Sequence, residues 1–407
     1  MSVQHTLMRN ANALSILNYL RLNGQSTRRE IQAGTGLSWA AVSTITAELL
    51  SQDVLVEKAP TERVSGRAPN PVDFNYRRNM SIGAEINVEG LTVVLMDIRG
   101  RVVAAQEELL QKAEKNATLN QITRMIEEVL RKNKLTKDRL LGIGVSVQGS
   151  VDKEGAYSLY NHYIKDWKDV PIKAMFEDYF GVPVRVMHDP VCIALSEKRE
   201  HTYLQEDDFV LVRLGYGIGM SYLHDGKPLL GHEGTAGELG HMVVAAGGES
   251  CMCGNRGCLE AYCSIRGIAW RIYEATVPAA ARADKPFYDN DITYLKNLLS
   301  RASDMAKRGN KIMQRIFEEA GRYLGIAIAN LVNLLNPRYV ILTGGVLEAS
   351  EHLVTNAREQ AASHAWHIST FDIIITKESR RRASMGAALS FLNEAFESQD
   401  SILLKRS

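Results

Sequence analysis

His241, Cys251, Cys253 and Cys258 fall within one short, glycine-punctuated stretch, GELGHMVVAAGGESCMCGNRGCLEAY. A Cys-x-Cys pair, a third cysteine five residues later and a histidine ten residues before the first supply three sulfur donors and one nitrogen. That is a full tetrahedral set for Zn2+ with no open position, which marks a structural metal rather than a catalytic one. Gly254 and Gly257 let the loop turn tightly enough to aim three thiolates at one point. The alternative is a set of incidental buried thiols, a description that fits Cys192 and Cys263, each isolated in an apolar stretch. A disulfide framework is disfavoured by the odd total of five cysteines. Two carboxylates, Glu238 and Glu260, flank the cluster. Carboxylates accept hydrogen bonds from vicinal hydroxyls and a metal-held imidazole has a fixed orientation, so this stretch could grip a small polyol.

The elements that must position these groups are α/β in kind. NMSIGAEINVEGLTVVLMDIRGRVVAAQEE breaks its apolar runs at Glu89-Gly90 and Arg99-Gly100, which predicts a meander of three strands. A helix over residues 120–132 leads to LLGIGVSVQGSVD, a buried strand ending in a glycine turn. VPVRVMHDPVCIALSEKR reads as a strand running into a helix. FVLVRLGYGIGMSYLHDGKPL is a second meander bent at its glycines, and helices over 312–335 and 382–395 flank the strand YVILTGG. The repetition predicts two α/β lobes of related layout.

The first eighty residues read differently. NALSILNYLRLNG places Leu14, Ile16, Leu17, Leu20 and Leu22 at helical spacing, and Gly24 ends the run. In STRREIQAGTG, Thr27 and Glu30 form a capping-box pattern, with Gly34 and Gly36 closing a short helix. LSWAAVSTITAELLSQ offers Ser38 as N-cap, Val42, Ile45, Leu49 and Leu50 on one face, and Trp39, Ser43, Thr44 and Thr46 on the other. This is a helix-turn-helix whose second helix enters the major groove by its N-terminal residues, where small hydroxyls approach base edges. DVLVEKAPTERVSGRAPNPVDFN then predicts a hairpin wing, with a strand near 54–58, a return through Val72, and Arg63 and Arg67 at the tip for phosphates or the minor groove. Ser38, Trp39, Ser43, Thr44, Arg63 and Arg67 are therefore the candidate DNA contacts. Residues 1–78 hold nine Lys/Arg against six Asp/Glu, a modest cationic excess placed where the fold pattern points to DNA. A helical oligomerisation module is the competing reading, and a basic Gly/Pro-rich wing would be a strange dimer patch.

At 407 residues two or three domains are expected, and 45% apolar with 23% charged residues is the composition of a folded soluble protein. No apolar run approaches the length of a membrane helix, so no membrane insertion is expected. The opening MSVQHTLMRNANALSIL has no long apolar core or cleavage site, which leaves a cytoplasmic protein as the expectation. A net charge of +1 offers no broad attraction for nucleic acid beyond the N-terminal segment.

The order of these pieces resembles the ROK family (repressors, open reading frames, kinases) over essentially the whole chain. GELGH resembles the family's E-x-G-H motif and CMCGNRGCLE its C-x-C-G-x-x-G-C-x-E motif. GYGIG resembles the glycine loop of the second lobe, HDPVCIALSE the Asp-centred sugar motif, and NPRYVILTGGV the late Gly-Gly strand. The resemblance implies a fold class: an N-terminal winged helix-turn-helix, residues 1–77, joined to a two-lobed actin-like body with a zinc-stapled loop. The expected lobes are 78–190, with the C-terminal segment 382–407 packing on it, and 191–381. It also implies zinc at His241, Cys251, Cys253 and Cys258, and sugar contacts from Asn161, His188, Asp189, Glu238, His241 and Glu260. The winged helix separates the family's regulators from its shorter sugar kinases.

A kinase of this family needs two phosphate loops and a base. Asp189 is the base candidate. The second loop is Gly215-Tyr216-Gly217-Ile218-Gly219, with tyrosine where the family's kinases carry threonine. The first loop reads Glu85-Ile86-Asn87-Val88-Glu89 in place of Asp-x-Gly-Gly-Thr, so both glycines that would let backbone N–H groups close on a phosphate are missing. Catalysis is therefore not expected, and Asp189 stands as a vestigial base. The expectation is a sugar-responsive repressor of carbohydrate uptake or catabolism genes, a homodimer or homotetramer on an inverted-repeat operator. The alternatives are an ATP-dependent sugar kinase fused to a DNA-binding domain, and a regulator controlled by a protein partner such as a sugar-transport component.

Overall fold

The computed structural model describes residues 3–59, 70–205, 207–278, 292–377 and 379–397. Three helices open the chain, α1 (Val3–Asn23), α2 (Arg28–Thr35) and α3 (Trp39–Ser51), followed by the antiparallel pair β1 (Leu55–Glu57) and β2 (Val72–Phe74). The capping box forms as the sequence suggests: the Thr27 hydroxyl accepts from Glu30 N and the Glu30 carboxylate from Thr27 N. Ser38 caps α3 by accepting from Ala41 N at 3.2 Å. Three expectations fail in this segment. Leu22 is 84% exposed, because the α1 stripe ends at Leu20. Gly34 lies inside α2, where a Cβ would strike the Tyr19 ring, so it serves packing and Gly36 alone is the left-handed cap. Thr46 is buried, its hydroxyl donating to Val42 O and accepting from Arg28 Nε.

The first lobe is built on β3 (Met80–Asn87), β4 (Gly90–Met96), β5 (Val102–Glu108), α4 (Lys115–Lys132), β6 (Leu140–Val147), a small sheet of β7 (Ser150–Val151), β8 (Ser158–Tyr160) and β9 (Lys168–Val170), α5 (Ile172–Phe180) and β10 (Val184–His188). Its main sheet runs β10-β6-β3-β4-β5, with β10 and β3 parallel to β6 and the meander antiparallel. Every residue of β3 and β6 is buried because both faces are covered, as the continuous apolar pattern of a central parallel strand requires. α6 (Asp189–Glu200) leads into the second lobe: β11 (Phe209–Leu214), β12 (Ile218–His224), β13 (Lys227–Pro228), α7 (Glu260–Cys263), α8 (Ile265–Thr276), α9 (Ile292–Lys307), α10 (Lys311–Leu335), β14 (Tyr339–Thr343), α11 (Gly345–Ala349), α12 (Glu351–His364) and β15 (Asp372–Ile375). Its sheet, β13-β12-β11-β14-β15, repeats the mixed layout of the first.

The last helix among the described residues, α13 (Arg382–Glu397), crosses the first sheet and packs on α6. Glycines in the strands permit this approach: a methyl group at Gly83 or Gly144 would overlap the carbonyls of Ser384 or Ala387. The N-terminal three-helix segment is not a loosely tethered head. Ile16, Leu17, Leu20, Val42, Leu55 and Phe74 share one hydrophobic cluster with Val94 and Met96 of β4 and with Leu389, Leu392 and Phe396 of α13. Phe74 and Phe396 meet edge-on at 5.8 Å. Burying apolar surface across this junction makes the head and the first lobe one body.

Candidate functional site

The loop after β13 brings His241, Cys251, Cys253 and Cys258 together, one donor atom from each lying within 4.8 Å of all the others. Backbone bonds shape it: Cys251 N donates to Asn255 O, Gly254 N to Cys251 O, and isolated bridges pair Val243 with Cys258 and Ser250 with Arg256. Gly257, at φ +80°, sits where a side chain would overlap Ala245 O. Cys253 Sγ and Cys258 Sγ are 3.7 Å apart, as are Cys251 Sγ and His241 Nδ1. Thiolates about 2.3 Å from a tetrahedral zinc lie roughly 3.7 Å from one another, so this donor set fits that ion. Burial pushes the Cys251 and Cys258 thiols up, and a bound dication reverses that cost by holding them as thiolates.

His241 Nδ1 faces Cys251, and the same histidine neighbours Glu260 and His162, so the metal-type cluster adjoins a group of polar residues drawn from both lobes. Glu260, at the start of α7, is half-buried; its Oε2 accepts from Ile218 N at 3.0 Å, and burial raises its pKa, opposed by the nearby His241 and Arg266. A methyl group at Gly217 would lie 2.8 Å from that oxygen, so the glycine loop is open in order to admit the carboxylate. Glu238 accepts from Ser150 Oγ at 3.3 Å, across the lobe boundary. Asp189 is the first residue of α6 and is almost wholly buried. Its Oδ1 lies 3.3 Å from His188 Nε2 and its Oδ2 2.7 Å from Arg213 Nη1, on β11. Asn161 is 2% exposed; its Oδ1 accepts from Tyr163 N, and its Nδ2 is buried without a protein partner. A buried amide donor of this kind calls for an acceptor from outside the chain.

The sequence reading missed several groups here. Tyr163 is half-buried near Glu260, Arg266, Asp189 and Arg213, with its phenol pushed well above its usual range, first by burial and then by Glu260. His162 is pushed below the ordinary imidazole value by burial, then by His241. Their neighbour Asn161 was the only signal in YNHYIKDWKDVPI. Arg213 lies two residues before the glycine loop and gave no sign that it would reach Asp189.

A cavity of about 250 Å³ beside this group is lined by Glu85, Asn87, Glu89, Arg213, Lys296 and Thr343. It holds the first phosphate-loop segment, and the polar groups of that segment are engaged within the chain. Glu89 pairs with Lys296 of α9, Glu89 N donates to Asn87 Oδ1, and Val88 N donates to Gln148 Oε1. The Tyr216 ring is buried, its hydroxyl donating to Ile292 O. The amides that would have to turn toward a phosphate are spent on the chain itself.

On α3, Trp39 is 49% exposed, Thr44 is exposed, and Ser43 is half-buried. Arg28, Arg29, Trp39, Ser43 and Asn70 line a shallow depression of about 340 Å³ on this face. Ser38 is committed to capping, which leaves its hydroxyl a helix-shaping role besides any DNA contact. Arg63 and Arg67 lie outside the described residues.

Two family models match the chain: one described as the ROK family, over residues 81–394, and one described as winged helix-turn-helix DNA-binding, over residues 9–56. The chain is 29% identical to a xylose repressor of Caldicellulosiruptor bescii, over 83% of this chain and 84% of that one. It is 27% identical to the DNA-binding transcriptional dual regulator NagC of Escherichia coli, over 86% and 84%. The crystal structure of a ROK family transcriptional regulator, a homologue of the E. coli MLC protein, superposes with a TM-score of 0.77, covering 98% of this chain and 99% of that chain at 23% identity.

Proposed function

The chain belongs to the ROK family, and we propose that it is a repressor of carbohydrate genes whose operator binding is switched by a monosaccharide held between its lobes. A DNA-binding, sugar-responsive regulator is what a winged helix-turn-helix on a ROK body amounts to. In this reading residues 1–77 read DNA through Ser38, Trp39, Ser43, Thr44 and the wing arginines Arg63 and Arg67. Residues 78–190 with the C-terminal helix form the first lobe, and 191–381 the second. Asn161, His188, Asp189, Glu238, His241 and Glu260 grip the sugar hydroxyls, joined by Tyr163. Zinc held by His241, Cys251, Cys253 and Cys258 fixes the imidazole and the loop; it supplies orientation, and no chemical step. Two such chains, or four, place paired recognition helices on an inverted repeat in the cytoplasm.

The observation that carries the reading is the Asp189–Arg213 ion pair. Asp189 is fixed by His188 and Arg213 and still has lone pairs on both oxygens to accept from sugar hydroxyls, so recognition is kept, while the amides of the first phosphate-loop segment are spent within the chain. With Glu89–Lys296 across the phosphate cleft, sugar recognition is retained and phosphoryl transfer is not supported. Thermal unfolding against pentoses, hexoses and N-acetylhexosamines, each with and without ATP–Mg2+, tests this. A sugar that raises the midpoint alike in both conditions supports the regulator. Steady ATP turnover with the same sugar, abolished by Asp189→Asn, would restore the kinase.

A further inference from the structure

Resting on the sugar-switched reading above, we propose that Arg99 and Arg199 form the relay through which the sugar pocket addresses the DNA-reading head. α6 carries it. Its first residue, Asp189, is in the pocket, and its eleventh, Arg199, is near its other end, about 15 Å away at a helix's rise per residue. Arg199 Nη2 donates to Arg99 O at 2.7 Å, in the turn between β4 and β5. The Arg99 guanidinium then reaches into the head, donating to Leu20 O of α1 at 3.0 Å and to Asp73 Oδ1 of β2 at 3.0 Å. It also lies 5.4 Å from the centre of the Tyr76 ring. One residue thus holds the first helix, the second wing strand and, through its carbonyl, the helix that begins at the sugar.

The position of α6 suits it to this task. Cys192, Ile193 and Ala194 pack with Leu211 and Leu223 of the second lobe and with Ala383 and Ala387 of α13, so the helix is clamped between the lobes. Glu197, wholly buried, accepts from Thr376 beyond β15 and pairs with Arg382 at the start of α13. A change in how Asp189 is shared between a sugar and Arg213, which comes from the second lobe, biases where α6 sits. A rigid helix transmits that displacement to its far end, and an effector shifts the head only if it favours one of two such arrangements.

The test is the ratio of operator affinities with and without saturating sugar, measured by fluorescence anisotropy on the full chain. Arg199→Ala is the probe, since this side chain is exposed and its loss leaves the core intact. Lys198→Ala, which removes an equal charge from the same turn, is the control. The relay predicts that Arg199→Ala reduces the sugar-dependent ratio at least about fivefold, within the usual range of coupling between sites. Sugar affinity without DNA and operator affinity without sugar should stay within about twofold of the unmodified protein. Lys198→Ala should keep the full ratio. An unchanged ratio in Arg199→Ala, or an equal loss in both variants, overturns the relay. If the unmodified protein shows no sugar effect on operator binding, the sugar-switched reading itself falls, and the relay with it.

Discussion

At the scale of single residues, the site is legible where its groups are contiguous and hidden where the fold gathers them. His241, Cys251, Cys253 and Cys258 share one loop, so their spacing announced a metal-type cluster that the fold then assembles. Arg213, Tyr163 and His162 carry no such pattern, because their partners stand on other strands and helices. Cys258→Ser should lower bound zinc to well under one equivalent, by at least about tenfold in affinity, measured by a chromogenic chelator assay. The same change should weaken sugar binding, since the loop carrying Glu238 and His241 loses its anchor. Asp189→Asn removes a charged acceptor and should cost about 1.5–3 kcal/mol of sugar affinity by titration calorimetry. Gly217→Ala places a methyl group 2.8 Å from Glu260 Oε2, so sugar binding should fall while the unfolding midpoint moves little.

Among elements, the sequence predicted those with strong local punctuation and missed those that exist to cover something. The capping box of α2, the Ser38 cap of α3 and the β3–β5 meander follow from local chemistry. The layer formed by α9, α10 and α12 was only partly anticipated, and the sheet of β7, β8 and β9 not at all, since such short strands have too few residues to show a period. Thr46 misled the helical-face assignment because a hydroxyl on the buried side of α3 finds Val42 O and Arg28 as partners. Trp39→Ala on α3 should weaken specific operator binding by about 1–3 kcal/mol without touching sugar affinity, the range for losing one good base contact. The junction beneath the head is also sensitive to alkali. Tyr76 donates to Asp73, and burial first, then Asp73, pushes its phenol up to about 12. A raised folded-state value means that its contribution is complete below pH 10 and is lost as pH rises from 10 towards 12. Unfolding midpoints across that range should fall less steeply in Tyr76→Phe.

For the whole molecule, the head, the first lobe and α13 share a core, so a sugar acting between the lobes moves the head as part of a body rather than swinging it on a linker. The two-lobed plan was readable from the repeated strand-and-helix order, whereas the fusion of the head to that plan was not, because the apolar faces of α1 and α13 lie at opposite ends of the chain. Among the described residues no helix is long and apolar enough to cross a membrane. The account therefore rests on one linked equilibrium between sugar and DNA, with no phosphoryl transfer in it. Anisotropy of an operator fragment selected by the protein, titrated with each sugar in turn with and without ATP–Mg2+, measures that equilibrium directly. The account predicts that one monosaccharide shifts the operator dissociation constant about tenfold or more, identically in both series. A shift that needs ATP and decays as the sugar is phosphorylated, or no shift with any sugar, would contradict it.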